Sequence, residues 1–217
     1  MSGQPRRVRF GGIRTRSRYV FELTGGRLSL DFANTLDERK TDHPRELLGT
    51  YQDLLDWGTQ AGSISARDAA VLRGYAGRHP RVAASALAGA RALREAIFQV
   101  LATTVATGPA PPPALALLHD AISRVARMRQ LEPAGHGFSW GWRADATDLE
   151  RVIWPVAWSA GELLTSADLD RVRLCAGAGC AWLFLDTSKN RTRRWCDMSV
   201  CGNRAKARRH YEKISSQ

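Results

Sequence analysis

Four cysteines, Cys175, Cys180, Cys196 and Cys201, fall in two pairs near the C-terminus, with four residues inside each pair and fifteen between the pairs, and the chain has no others. Each pair offers two thiolates from one tight turn, and the loop between them closes a tetrahedron, the arrangement taken by a structural zinc ion. Gly177 and Gly179 let the backbone wrap a metal. The spacing therefore predicts one zinc held by these four residues alone. The competing reading is four unligated cysteines buried as small hydrophobes. A redox pair is disfavoured because neither spacing is Cys-x-x-Cys. A tail of about forty residues is too short to bury a core of its own and needs a metal or a partner. Losing one ligand is thus expected to melt the tail and leave the rest folded.

Charge separates the chain into three parts. Net charge is +11 over 217 residues. Residues 1–18 carry six Arg and no acid, and from Arg171 to Lys213 eleven Lys or Arg face three acids, which leaves the middle slightly acidic. Localised positive charge of this kind favours a polyanion, either nucleic acid or an anionic membrane surface. No apolar run is long enough to span a membrane, and the first twenty residues hold no hydrophobic signal core, so a cytoplasmic protein is expected. The Arg-rich start shares its lack of acids with organelle transit peptides, but Gly11 and Gly12 interrupt it and little apolar face remains. The heavy use of Ala, Arg and Gly points to a GC-rich bacterial genome.

Along the middle, Tyr19–Leu23 and Arg27–Leu30 around Thr24-Gly25-Gly26 read as a hairpin, with a helix starting at Asp31. Asp42 and Pro44 mark a helix start followed by the stripe Leu47, Leu48, Tyr51, Leu54 and Leu55. Ser65 with Asp68 resembles a capping box. Two long helices, 81–106 and 114–130, flank a Pro-rich connector at 108–113 that is expected outside any helix. Phe138–Trp142 alternates as a strand, and a helix through Leu149–Leu164 is broken or kinked at Pro155. In the tail, Ala181–Leu185 reads as a strand, Ser188-Lys189-Asn190 as a turn, Arg193–Cys196 as the returning strand, and Ala205–Lys213 as a helix. The fold class is α+β: a mainly helical domain with a small antiparallel sheet, then a treble-clef-like zinc finger. Expected units are a basic flexible arm at 1–18, a helical domain at 19–168 and a zinc module at 169–217.

Cys201-Gly202-Asn203-Arg204, together with Arg173-Leu174-Cys175, Cys180, Phe184-Leu185-Asp186, Arg194-Trp195-Cys196 and Asn203–Arg208, resembles the signature of the CGNR zinc-finger family. Upstream, Gly26–Thr35 and Leu93-Arg94-Glu95-Ala96-Ile97 resemble the ABATE domain that accompanies that finger. The resemblance implies a bacterial, stress-linked transcription regulator, with its DNA contact at the nucleoid.

On the last helix Lys206, Arg209, His210 and Lys213 share one side, Arg204 and Arg208 lie on the other, and Ala207, Tyr211 and Ile214 form a narrow apolar stripe. With Lys189, Arg191, Arg193 and Arg194 they are the candidate nucleic-acid contacts; the bland alternative is a solvated charged face. Trp182 and Trp195 cover the metal or stack on a base. Asp31 and Asn34 are either an N-cap with its neighbour one turn on or, with Arg94, the lining of a small effector pocket. The histidines are scattered and no triad, phosphate loop or HExxH pattern occurs, so no enzyme is expected. DNA is the expected partner, RNA or an acidic protein the alternatives, and a homodimer and a small-molecule effector are open.

Overall fold

The computed structural model describes residues 12–15, 18–143, 145 and 147–215. Residues 1–11, 16 and 17 of the expected basic arm lie outside that set. The rest of the arm contributes a strand: β1 (Gly12–Arg14) pairs antiparallel with β2 (Tyr19–Phe21). The expected hairpin of residues 19–30 is therefore replaced. The outer side of β2 is closed by Gln60, which accepts from the Phe21 N–H at 3.0 Å and donates to the Tyr19 carbonyl at 2.7 Å. Released from pairing, residues Leu28–Ala33 form helix α1, which begins three residues earlier than expected.

The next elements are a two-residue ladder, β3 (Leu36–Asp37) with β4 (Arg45–Glu46), and then α2 (Tyr51–Ala61). The helix expected from Asp42 starts only at Tyr51. Thr50 and Asp53 form a reciprocal capping box there, and Gly62 at φ 75° closes the other end. Helix α3 (Ala66–Arg78) starts at Ser65 as expected, and Pro80 opens α4 (Pro80–Val105). Helix α5 (Pro112–Ala126) takes Pro112 and Pro113 into its first turn, where a missing N–H breaks no helical bond. The connector thus spans 106–111, displaced by two residues from the expected 108–113.

A hairpin follows, β5 (Arg129–Ala134) with β6 (Gly137–Trp142). A 3-10 turn at Leu149–Ile153 leads into α6 (Trp154–Leu164), so Pro155 sits at a helix start rather than a kink. A second 3-10 turn, Ala167–Arg171, enters β7 (Val172–Leu174), which pairs with β8 (Leu183–Leu185). A π-turn at Met198–Gly202 runs into α7 (Asn203–Ser215). The fold class is α+β, with the strands among the described residues in four separate antiparallel pairs rather than one sheet. Among the described residues no helix is long and apolar enough to cross a membrane.

Helix α4 is the axis of the core: Ala83, Ala86, Leu87, Ala90, Leu93, Ile97, Val100 and Leu101 are buried along it at helical spacing. Phe32 of α1 and Trp57 of α2 meet beside it with ring centroids 4.9 Å apart. Val172, Leu183 and Leu185 belong to this same core, so the β7–β8 hairpin is built into the helical body. Asn34, itself buried, locks it there: its amide donates to the Leu183 carbonyl and accepts from the Leu183 N–H, both at 2.9 Å. Gly25 adds a third bond, its carbonyl accepting from the Leu185 N–H at 2.8 Å.

Replacing Asn34 by Ala strands a buried N–H and a buried carbonyl on β8. Urea unfolding is expected to give a loss of about 2–4 kcal/mol, larger than any exposed polar-to-Ala change on α3.

Candidate metal centre

Two turns bring the cysteines together. Cys175 and Cys180 sit on the loop joining β7 to β8, Cys196 at a bend in the irregular segment after β8, and Cys201 in the π-turn ahead of α7. That turn is capped by Asp197, whose carboxylate accepts from the Ser199 N–H at 2.6 Å and the Val200 N–H at 3.2 Å. Asn203 closes it from the far side by donating to the Ser199 carbonyl at 2.9 Å.

All four sulfurs are buried, unbridged by disulfides, and lie within 4.8 Å of one another. Individual Sγ separations are 3.4 Å for Cys175–Cys201, 3.7 Å for Cys180–Cys196 and 3.7 Å for Cys196–Cys201. A tetrahedral zinc with bonds of about 2.3 Å requires edges of about 3.8 Å, so the cage has the size of that ion. Gly177 is part of the cage wall: a Cβ there would stand 2.8 Å from the Cys201 sulfur and 3.4 Å from that of Cys175. Backbone N–H groups point at the sulfurs, from Gly177 and Cys196 to Cys175 and from Trp182 to Cys180, each at 3.4 Å. Without a cation these thiols oppose one another. Hydrogen bonds from Cys180, Cys196 and Cys201 push the Cys175 thiol far down, while the bond to Cys175 pushes Cys180 and Cys196 up. A divalent cation removes that conflict by favouring the thiolate at every position.

A polar shell surrounds the cage. Arg193 donates through Nε to the Trp195 carbonyl at 2.8 Å and through Nη2 to the Cys196 carbonyl, with its guanidinium 4.6 Å from the Phe184 ring centroid. The fully buried Asp186 accepts from Ser188 and from the Arg193 N–H at 2.9 Å. Burial alone would raise its pKa, but these hydrogen bonds hold it below the usual value. Arg193 therefore braces the knuckle and is half-buried there. The expected returning strand at Arg193–Cys196 is an irregular segment instead. It bonds to the knuckle through the Ala176 N–H and the Arg194 carbonyl at 2.9 Å, while β8 takes β7 as its partner.

The other basic candidates lie on the surface. Lys189, Arg191, Arg194, Arg204, Lys206, Arg208, Arg209 and Lys213 are exposed, and α7 buries none of its residues. The narrow apolar stripe is bare, with Tyr211 69% and Ile214 57% exposed. Arg194, Arg208 and Arg209 come together with Trp195, Ala176 and Ala205 around a cleft of about 160 Å³.

Asp31, Asn34 and Arg94 are occupied by the protein itself. Asp31 accepts from the Gly25 N–H at 2.7 Å, Asn34 holds Leu183, and Arg94 clasps Glu46 at 2.6 and 2.8 Å and Glu95 at 2.8 Å. These contacts are structural, and they were invisible in the sequence because the partners are up to 149 residues away. The larger clefts are lined by other residues. Asp197 went unnoticed as a cap, although its two-residue lead over Ser199 is a usable turn signal.

Residues 26–167 match the family model ABATE, described as "Putative stress-induced transcription regulator", and residues 171–213 match that of the CGNR zinc finger. No curated protein matches the chain. The cage and the second match agree: the four cysteines hold one structural zinc ion.

Chelation, or Cys196→Ser, is expected to release that zinc and expose the amides of 175–182 and 194–215 to hydrogen exchange. The β7 and β8 amides should stay protected, because Asn34 and the main core hold them. A second outcome concerns Asp31, whose pKa is raised from 3.8 to about 6 by burial, against hydrogen bonds from Gly25 and Thr24. A folded-state pKa above the unfolded one gives stability that is complete below about pH 4 and lost as pH rises through about 6. Asp31→Asn keeps the acceptor and removes the charge. Paired urea titrations should show the variant gaining on the wild type between pH 4 and 7.

Proposed function

The chain belongs to the ABATE family and closes on a CGNR zinc finger, and on that premise we propose that it is a transcription regulator that binds DNA through the basic face of its zinc module. The observation that carries the reading is α7: thirteen residues, none buried, anchored at one end by the zinc cage. At 1.5 Å per residue it extends about 20 Å, a length that suits a groove of duplex DNA. Arg208 and Arg209 of α7 join Arg194 at the cleft, while Lys206 and Lys213 extend the charge along the helix. Phosphates are the fitting partners for such a face, with Arg204 and Arg208 as candidates for base contact. A zinc ion with four thiolate ligands keeps no open position for water or substrate, which supports a non-enzymatic role. Such a regulator works in the cytoplasm, at the bacterial nucleoid.

The helical domain is the sensing or dimerising half in this reading. With Asp31, Asn34 and Arg94 engaged internally, a small effector is better accommodated elsewhere. The cleft of about 250 Å³ between α4, α5 and α6 has an apolar floor of Leu93, Val125 and Ile153 and a charged rim that includes Arg124 and Asp148. RNA is the second reading, favoured by Trp195, whose ring borders the arginine cleft where an unpaired base could stack.

Salt titration tests the proposal. Log affinity for duplex DNA should fall against log salt by about 0.9 per phosphate contact, and neutralising Arg194, Lys206 or Arg209 singly to Gln should flatten the slope by about that amount. Arg193→Gln should instead loosen the zinc module and leave the slope alone. Salt-independent binding would favour a protein adaptor, and tighter binding of single-stranded RNA at matched salt would favour the second reading.

A further inference from the structure

The hairpin β5–β6 has two unlike faces. Its register pairs Arg129 with Trp142, Leu131 with Trp140 and Pro133 with Phe138, which puts these six side chains on one face. The other face is polar or bare: Gln130 donates to Glu132 at 2.9 Å opposite Ser139 and Gly141. Only the root of the first face meets the body. Trp142 lies 6.1 Å from Trp154, and the Arg129 guanidinium sits 4.5 to 5.0 Å from the rings of Trp140, Trp142 and Trp158. Farther out, Leu131, Phe138 and Trp140 are 60%, 74% and 58% exposed.

A two-stranded hairpin is marginal in water without an apolar face packed on something, and a contiguous exposed patch of this kind marks an interaction site. Several features narrow the occupant. The hairpin's only charges are Arg129 and Glu132, and Arg129 is already enclosed by indole rings. The face therefore offers nothing to a polyanion or an anionic membrane. Its tip is Ala134-Gly135-His136-Gly137, small and polar, so it is not built to enter a bilayer end-on. Pro133 removes an N–H from β5, which disfavours strand addition at that edge and leaves face-to-face contact.

We propose that this face is the interface between two copies of the chain, packed across a two-fold axis. A neutral, one-sided apolar strip suits an isologous contact, in which the same patch serves both copies. The partner that covers it in the resting protein must be present wherever the protein is, and a second copy meets that condition. Phe138 and Trp140 expose on the order of 250 Å² per copy. Two copies of the strip with Leu131 supply roughly the apolar core of a standard interface, around which the polar rim closes. The inference is independent of the nucleic-acid reading.

Sedimentation of the full-length, zinc-loaded protein tests it. At micromolar concentration the mass should be about twice 23.9 kDa. Phe138→Ser and Trp140→Ser should each weaken self-association about thirtyfold or more, with zinc content and helical signal unchanged, while Ser139→Asp on the opposite face should leave the mass intact. A second readout needs no variant: hydrogen-exchange protection of residues 129–142 should rise with protein concentration. The proposal is overturned by a wild type that stays monomeric at about 100 μM, by a dimer that survives the double substitution, or by hairpin protection that responds only to added oligonucleotide or neutral lipid vesicles. Neutralising Arg194, Arg208 and Arg209 together should abolish DNA binding without altering the mass, so the two readings fail separately.

Discussion

Four thiolates around one divalent cation leave a formal charge of −2 in a volume closed to water, and the outer half of the zinc module is arranged to meet that charge. Three backbone N–H groups turn toward sulfur, Gly177 gives up a side chain so that they can approach, and α7 begins directly after the last ligand with its positive end toward the cage. Arg193 holds the carbonyls of Trp195 and Cys196, which keeps the third ligand's backbone in place. The metal thus fixes the path of the chain from Cys175 to Cys201, and α7 inherits its direction from that path.

The inner half of the module answers to a different constraint. Trp182, Phe184 and the cysteines are a small cluster, too few for a core of their own, but the alternate residues Leu183 and Leu185 face the other way into the helical body. Period-two alternation along β8 therefore joins the two cores through one strand. Asn34 satisfies the Leu183 backbone where the strand crosses from one to the other, so loss of metal and loss of the helical body are separable only in part.

Much of this was legible in the sequence, and the limits follow distance along the chain. Cysteine spacing announced the cage because every ligand comes from a short, self-contained stretch. Ser65 and Asp68 announced α3 for the same reason. What could not be read were pairings decided elsewhere. Tyr19–Phe21 has the pattern of a hairpin strand, but its partner lies upstream because Gln60 occupies its other edge. Of the expected strand Ala181–Leu185 only Leu183–Leu185 forms, Ala181 taking a φ of 66°, and it pairs across the knuckle rather than with Arg193–Cys196. Asp31, Asn34 and Arg94 stood out as polar residues in apolar surroundings. Their partners, Gly25, Leu183 and Glu46, convert that oddity into hydrogen bonding of the kind buried polar groups require.

Charge density does not say what each side chain touches, as the neighbours Arg193 and Arg194 illustrate. Arg193 turns inward over Phe184 to serve the cage, whereas Arg194 turns outward beside Trp195 and joins Arg208 and Arg209 at the cleft. Counting charge alone hides what the pair does together. The inward arginine holds the backbone from which the outward one projects, so the position of the exposed charge depends on the buried one. An electrostatic surface built this way is pre-organised by the metal.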